Sequence, residues 1–379
     1  MKIPLSYNLR NLRVRKVTTF MTAFAASLSV LVLVAVLGLV AGLRRSLEVS
    51  ANPYHLILMR SGSTSELVSL INRETYQDIL SHQGIALASI EIITLVTVAL
   101  PNGKEMSVDF RGITDAGWKM RPQIHLVSGR LVNSGAREIV VGKSIAQMCP
   151  AAHLGGTLQF GEGSWTVVGI VDGGQSTFNS EIFGDLNQVS TEYHRSDLLS
   201  SVLVESRSND VESLARSLRN DRRLHLLVQS ERDYYESQMS AANPVKFMGT
   251  FVALVMALGG AFASMNTMYA AIARRSSEIG VLRVLGFSRA SVLTCFLLES
   301  VLISLFGGAI GCLLALPLNS FETAIGSFNT WSQLSFHFRV TPEILLTGLL
   351  FAALIGAIGG FLPARSAARS SLIAALRAR

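Results

Sequence analysis

The chain has 379 residues, of which 49% are apolar and 16% charged, and its mean hydropathy is +0.41. That composition excludes a typical soluble globular domain and points to a membrane protein. The net charge of +7 would suit a nucleic-acid partner, but the basic residues flank apolar runs, so no nucleic acid is expected and the charge reads as membrane orientation.

Residues 1–16 place Leu5, Leu9 and Leu12 at helical spacing among Arg10, Arg13, Arg15 and Lys16, which predicts an amphipathic helix lying on the cytosolic membrane surface. From Val17 to Leu43 there is no charged residue for 27 positions. About 20 apolar residues suffice to span a bilayer, so 17–43 is the first predicted transmembrane helix. It is too long for a signal peptide and shows no small-residue cleavage site. Three further apolar runs predict spans at 246–273, 291–318 and 343–364, the third span containing one acid, Glu299. The N-terminal segment, the loop 274–290 and the tail 365–379 together carry thirteen basic residues and one acid, Glu278. Basic residues in short segments stay on the cytosolic side. Both termini are therefore expected in the cytosol, and 44–245 and the short loop 319–342 outside.

Residues 44–245 predict a mixed α/β domain. The run 55–60 reads as a strand and 65–80 as a helix with Ser65 at its N-cap. Strands at 89–100 and 104–113 are joined by Asn102-Gly103, a strong hairpin signal. A Gly-rich stretch with short strands at 138–141, 157–160 and 165–171 predicts an inserted β subdomain over 127–190. Strand, helix and strand follow at 200–206, 210–220 and 224–229. The predicted fold class is an α-helical membrane protein with one span before and three after a large extracytoplasmic α/β domain containing a small β subdomain.

Motifs for chemistry are sparse. Gly142-Lys143-Ser144 invites a phosphate-loop reading, but the glycine required five positions earlier is Arg137. Gly173-Gly174-Gln175 lacks the Leu-Ser lead of an ATPase signature. The seven histidines show no paired metal spacing, and the three cysteines give no disulfide framework. No catalytic set, metal site or bound cofactor is predicted, and an enzyme is not expected. Glu299 and Asn266 are polar positions within spans. For Glu299, an interhelical hydrogen bond or ion pair is the favoured reading over a proton relay. Gly38/Gly42, Gly259/Ala263, Gly307/Gly311 and Gly356/Gly360 are small-residue pairs at the spacing that lets helices approach closely in lipid.

The segment 274–289 is the most informative. Ser276 or Ser277 can cap a short helix, Glu278 favours its positive end, and Gly286 can end it in the left-handed conformation. Ile279, Leu282 and Leu285 are read as one apolar stripe, with Arg283 facing elsewhere. Residues 259–318, with Met265-Asn266, Ser277-Glu278-Ile279-Gly280, Leu285-Gly286, Leu298-Glu299-Ser300 and Gly307-Gly308, resemble the core of FtsX/MacB-like ABC transporter permeases. The tail 362–377 is similar to the C-terminus of that family, and 140–146 and 166–172 to its extracytoplasmic β subdomain. The family usually has Arg or Lys where this chain has Ser277.

The resemblance implies a dimeric permease in a bacterial inner membrane, formed by a second copy or a paralogue. A separate cytosolic ATPase, which would bind ATP and Mg, would dock at residues 276–286. A periplasmic adaptor is a further candidate partner. The implied function is export of a hydrophobic, peptide or lipid-linked substrate driven by movement of the extracytoplasmic domain. The alternative is a signalling subunit that regulates an external cell-wall hydrolase.

Overall fold

The computed structural model describes residues 16–100, 103, 105–238, 243–326 and 333–369. The predicted N-terminal amphipathic helix and most of the tail lie outside them. The chain divides into two units: Met1–Ala41 with Asn243–Phe321 and Phe338–Arg379, and Gly42–Ala242 with Glu322–His337. Helix α1 runs from Lys16–Ser50.

In the second unit the elements in chain order are β1 (His55–Arg60), β2 (Ile71–Asn72), α2 (Arg73–Leu80), β3 (Ile85–Ala99), β4 (Glu105–Ile113), α3 (Asp115–Lys119), β5 (His125–Gly129), β6 (Glu138–Gly142), α4 (Lys143–Met148), β7 (Thr157–Phe160), β8 (Gly163–Asp172), β9 (Glu181–Asp185), α5 (Leu186–Glu192), β10 (Leu198–Leu199), β11 (Ser201–Ser206), α6 (Val211–Asn220), β12 (Leu226–Ser230) and α7 (Glu231–Gln238). Nine strands form one sheet in the order β12-β1-β11-β3-β4-β9-β6-β8-β5, and β7 pairs with β8 as the tenth. The apolar run of β1 is buried at every position but Arg60, as a central strand covered on both faces requires. The β3–β4 hairpin turns at Gly103, whose φ of 73° is left-handed; a glycine tolerates that conformation at no steric cost. Asp210 caps α6 by accepting a hydrogen bond from the Ser213 N–H at 3.1 Å.

One sequence expectation changes and two gain detail. The helix predicted over 65–80 is a 3-10 turn at Glu66–Val68, the short strand β2 and only then α2. Ser65 makes no capping bond; β2 is drawn into pairing with β10, so tertiary pairing overrides helical propensity. The inserted β unit shares the sheet of the core strands: β9 pairs in parallel with β4 from Asp109↔Glu181 to Ile113↔Asp185. The short loop 319–342 carries two strands, β13 (Glu322–Gly326) and β14 (Gln333–His337), that belong to the α/β unit. There the Ser335 N–H donates to Ser180 Oγ at 2.7 Å, and Ser144 is hydrogen-bonded to Glu322.

The first unit holds α8 (Asn243–Arg274), α9 (Ser276–Val284), α10 (Arg289–Ala315) and α11 (Pro342–Arg369). α1, α8, α10 extended through Ser320, and α11 are each long and apolar enough to cross a membrane. α11 continues five residues beyond the predicted span at 343–364, to Arg369. Close packing here depends on small residues. A Cβ at Gly307 would collide with the Ala23 carbonyl oxygen, and one at Gly311 with that of Ser27, so α10 and α1 approach backbone to backbone. On the other side of α10, a Cβ at Gly356 would lie 2.8 Å from Val301 Cα and one at Gly360 2.5 Å from Ser300 Cβ. Ser300 Oγ lies 3.2 Å from Ser264 Oγ and donates to the Gly356 carbonyl at 2.8 Å, which satisfies these hydroxyls inside the bundle.

Candidate functional site: an amphipathic connector and its mount

α8 ends at Arg274, and the helical path is broken at Arg275, whose φ of −109° and ψ of 15° leave the α region. A second helix, α9, starts at Ser276 and stops at Val284. Gly286 follows with φ 92°, and a side chain there would meet no other atom within 4 Å, so backbone conformation alone demands glycine. α10 then opens with Ser288 as N-cap, its hydroxyl accepting from the Ser291 N–H at 3.2 Å. One residue of break and a glycine-ended loop hold a nine-residue helix between two long apolar ones.

The mount is an ion pair. The Arg275 guanidinium, 5% exposed, donates from Nη1 to Glu299 Oε2 of α10 at 3.3 Å, and Glu299 is 7% exposed. Glu299, read from sequence as a pairing acid, here faces a basic residue from the non-helical break before the connector. Burying either charge alone would be costly.

The connector presents two faces. Ile279 is 2% exposed and packs with Met268, Val292, Phe296, Ala364 and Ala367; Gly280 is buried beside it. Val281, Val284 and Leu285 are 52%, 62% and 64% exposed, and Ser277 and Glu278 are exposed as well. Arg283 is half-buried, its Nη1 donating to the Phe287 carbonyl at 3.4 Å. The single stripe of Ile279, Leu282 and Leu285 read from the sequence is therefore corrected: Ile279 belongs to the bundle, and the outward apolar residues are Val281, Val284 and Leu285. The Leu282 side chain lies outside the described residues.

The other residues singled out by sequence are dispersed. Gly38 packs on Val340, a Cβ there lying 3.0 Å from Cγ2, and Gly42 faces the His337 carbonyl. Gly259 has nothing within 4 Å; it and Asn266 lie on an exposed face of α8. The phosphate-loop lookalike is closed: a Cβ at Gly142 would collide with the Asn179 carbonyl oxygen, and Lys143 is paired with Asp172 at 2.7 Å. Among the described residues, no group of three or more His, Cys, Asp or Glu is placed to hold a metal.

Four apolar helices, an amphipathic connector on a buried ion pair and a large α/β domain define a polytopic membrane protein with an extracytoplasmic domain. The chain belongs to the ABC transporter permeases of the MacB/FtsX type: residues 250–372 match the FtsX-like permease C-terminal family and 19–221 the MacB-like periplasmic core domain. It is 25% identical over 273 residues to the macrolide export ATP-binding/permease protein MacB of Bartonella henselae, an alignment covering 67% of this chain and 40% of that protein. To the uncharacterized ABC transporter permease YknZ of Bacillus subtilis it is 30% identical over 207 residues, 52% of this chain and 49% of that one. The alignments thus span about half or less of the length of these curated relatives. The crystal structure of the periplasmic region of MacB from Actinobacillus actinomycetemcomitans aligns with 50% of this chain and 94% of its own, at 13% identity and a TM-score of 0.39.

Proposed function

We propose that the chain is the permease subunit of an ABC exporter in a bacterial inner membrane, with both termini in the cytosol, working as a dimer with a second copy or a paralogue. A cytosolic ATPase that binds ATP and Mg grips α9, and its cycle moves the extracytoplasmic domain to extrude a hydrophobic, peptide or lipid-linked substrate. The observation that carries this reading is the division of α9 into a face anchored in the bundle and an apolar face left open at Val281, Val284 and Leu285. A force applied to the open face passes through Ile279 and Arg275 into α10 and α11. The backbone-close packing at Gly307, Gly311 and Gly356 supports movement of helices as a body, rather than a route for cargo through the four helices of one copy.

Each Val or Leu buried in a partner groove contributes roughly 1.5–3 kcal/mol, and each 1.4 kcal/mol is about tenfold in affinity. In co-expression with its ABC ATPase, Val284→Asp with Leu285→Asp is expected to reduce ATPase recovery by at least about tenfold and to leave the thermal stability of the permease unchanged. Equal recovery, with ATP turnover still stimulated, would remove α9 as the coupling element.

A further inference from the structure

Five ionisable side chains from separate segments meet inside the extracytoplasmic domain: Glu66 of the 3-10 turn, Glu91 of β3, Arg111 of β4, Arg121 beyond α3 and Glu181 opening β9. None is more than 7% exposed. They sit where the core strands meet the inserted β unit, at the β3–β4–β9 pairing. Among these five, three carboxylates face two guanidiniums, one negative charge in excess if all were ionised. Glu231 of α7, buried and 3.0 Å from His55 Nδ1, lies within electrostatic range of Arg121, and Asp109 of β4 within range of Tyr234, so these surroundings add no further cation beyond His55. Isolated buried charge is relieved by neutralisation or by a partner.

The geometry identifies which acid is left over. Arg111 grips Glu181 through Nε at 2.6 Å and Nη2 at 3.2 Å, and donates to Glu91 from Nη1 at 2.6 Å. Arg121 clamps both oxygens of Glu91 at 2.6 and 2.9 Å. Glu66 is held only loosely, with its Arg111 distances at 3.4–3.5 Å. Its short bond, 2.6 Å, is to the Ser201 hydroxyl of β11. From α7, the Tyr234 hydroxyl accepts from the Glu66 backbone N–H at 3.3 Å. Tyr235 is also within electrostatic range, and burial holds both phenols neutral.

We propose that Glu66 is neutral in the folded protein, so that the extracytoplasmic domain carries one buried proton whose release at raised pH loosens the junction between the core strands and the inserted β unit. Electrostatics point the same way. Burial raises the Glu66 pKa, Arg111 offsets this only in part, and Glu91 adds to it. Burial also opposes ionisation of Glu91, but Arg121 and Arg111 outweigh it and hold that acid below the usual range. For an acid whose folded-state pKa is raised, the stabilisation is complete below the ordinary carboxylate range and is lost as pH rises through the folded-state pKa. The folding constant then falls about tenfold per pH unit from this one proton.

The test uses the full chain in lipid nanodiscs, with unfolding of the extracytoplasmic domain followed as a function of pH. Glu66→Gln replaces the neutral acid by a neutral isostere. Its folding constant is expected to lose the extra tenfold-per-unit fall that wild type shows between the ordinary carboxylate pKa and the raised folded-state value, and to match wild type at low pH. Parallel pH curves for the two proteins would overturn the proposal. Infrared spectroscopy decides the matter even if Glu66→Gln folds poorly. Wild type should show a protonated-carboxyl carbonyl band that persists above the ordinary carboxylate range. In Ser201→Ala that band should persist to higher pH, because the lost hydrogen bond favoured the ionised form. Absence of the band in wild type would also overturn the proposal.

Discussion

The ion pair between Arg275 and Glu299 is the point at which the connector is fastened to the third membrane helix, and it sets a quantitative test. At 3.3 Å and an effective dielectric of about 20, two unit charges attract by about 5 kcal/mol before desolvation is subtracted. Both groups are nearly excluded from solvent, so removing one leaves the other's buried charge without its opposite charge at 3.3 Å. Glu299→Leu or Arg275→Met alone should each cost roughly 3–5 kcal/mol. The double variant replaces the pair by apolar side chains of similar volume and should cost much less than the sum, a coupling of about 3 kcal/mol or more. The assay is unfolding of the purified permease by SDS titration from mixed micelles, with the four proteins measured as a double-mutant cycle. Single variants that are additive, with a coupling below about 0.5 kcal/mol, would show that the pair does not hold the connector. A second readout separates stability from function: if α9 is the coupling element proposed above, the double variant should fold but stimulate a co-expressed ABC ATPase poorly, because α9 has lost this tie to α10.

Other outcomes follow from the packing and topology. Gly307→Ala forces a methyl against the Ala23 backbone and should destabilise the bundle by about 1–3 kcal/mol; Gly259→Ala meets nothing within 4 Å and should be neutral or stabilise α8 by up to about 1 kcal/mol. Equal thermal stability of the two would contradict the α1–α10 packing. Ser180→Ala deprives the buried Ser335 N–H of its acceptor and should cost about 1–3 kcal/mol, seen as faster hydrogen exchange confined to β14 and its neighbours; unchanged exchange would detach the hairpin from this domain. In intact cells, an impermeant thiol reagent should label Ser134→Cys and spare Ser277→Cys, both exposed positions, against native cysteines that are all buried. Labelling of position 277 from outside would invert the proposed topology.

Where the sequence was legible, a local signal decided the structure. Uncharged runs mark the four apolar helices because a charge within them is costly in lipid. Asn102-Gly103 marks the β3–β4 turn because glycine supplies the positive φ. The stripe on the connector was misread for a geometric reason. At 3.6 residues per turn, Ile279 and Leu285 are about 120° apart around the helix, so one joins the bundle as the other faces out. Apolar positions show what can be buried, not which neighbour buries it. Glu299 was legible as an intramembrane acid, yet its partner, Arg275, looked like an ordinary loop cation. The charge cluster was beyond reach because Glu66, Arg111 and Glu181 meet only through the fold, and strands β13 and β14 are too short to announce themselves without the domain they pack on.

The parallel pairing of β9 with β4 makes the inserted β unit something other than a removable cassette. Excising residues 125–185 would bare the edge of β4 from Asp109 to Ile113, which β9 now covers, and an unpaired strand edge invites pairing with other chains. The same cut would take Glu181 from Arg111, which it holds through two hydrogen bonds, in a cluster whose side chains are all nearly excluded from solvent. A domain-swapped chimera between relatives in this family should therefore exchange the segment from β1 to α7 together with the β13–β14 hairpin, and grafts with borders inside the sheet should aggregate rather than acquire new specificity.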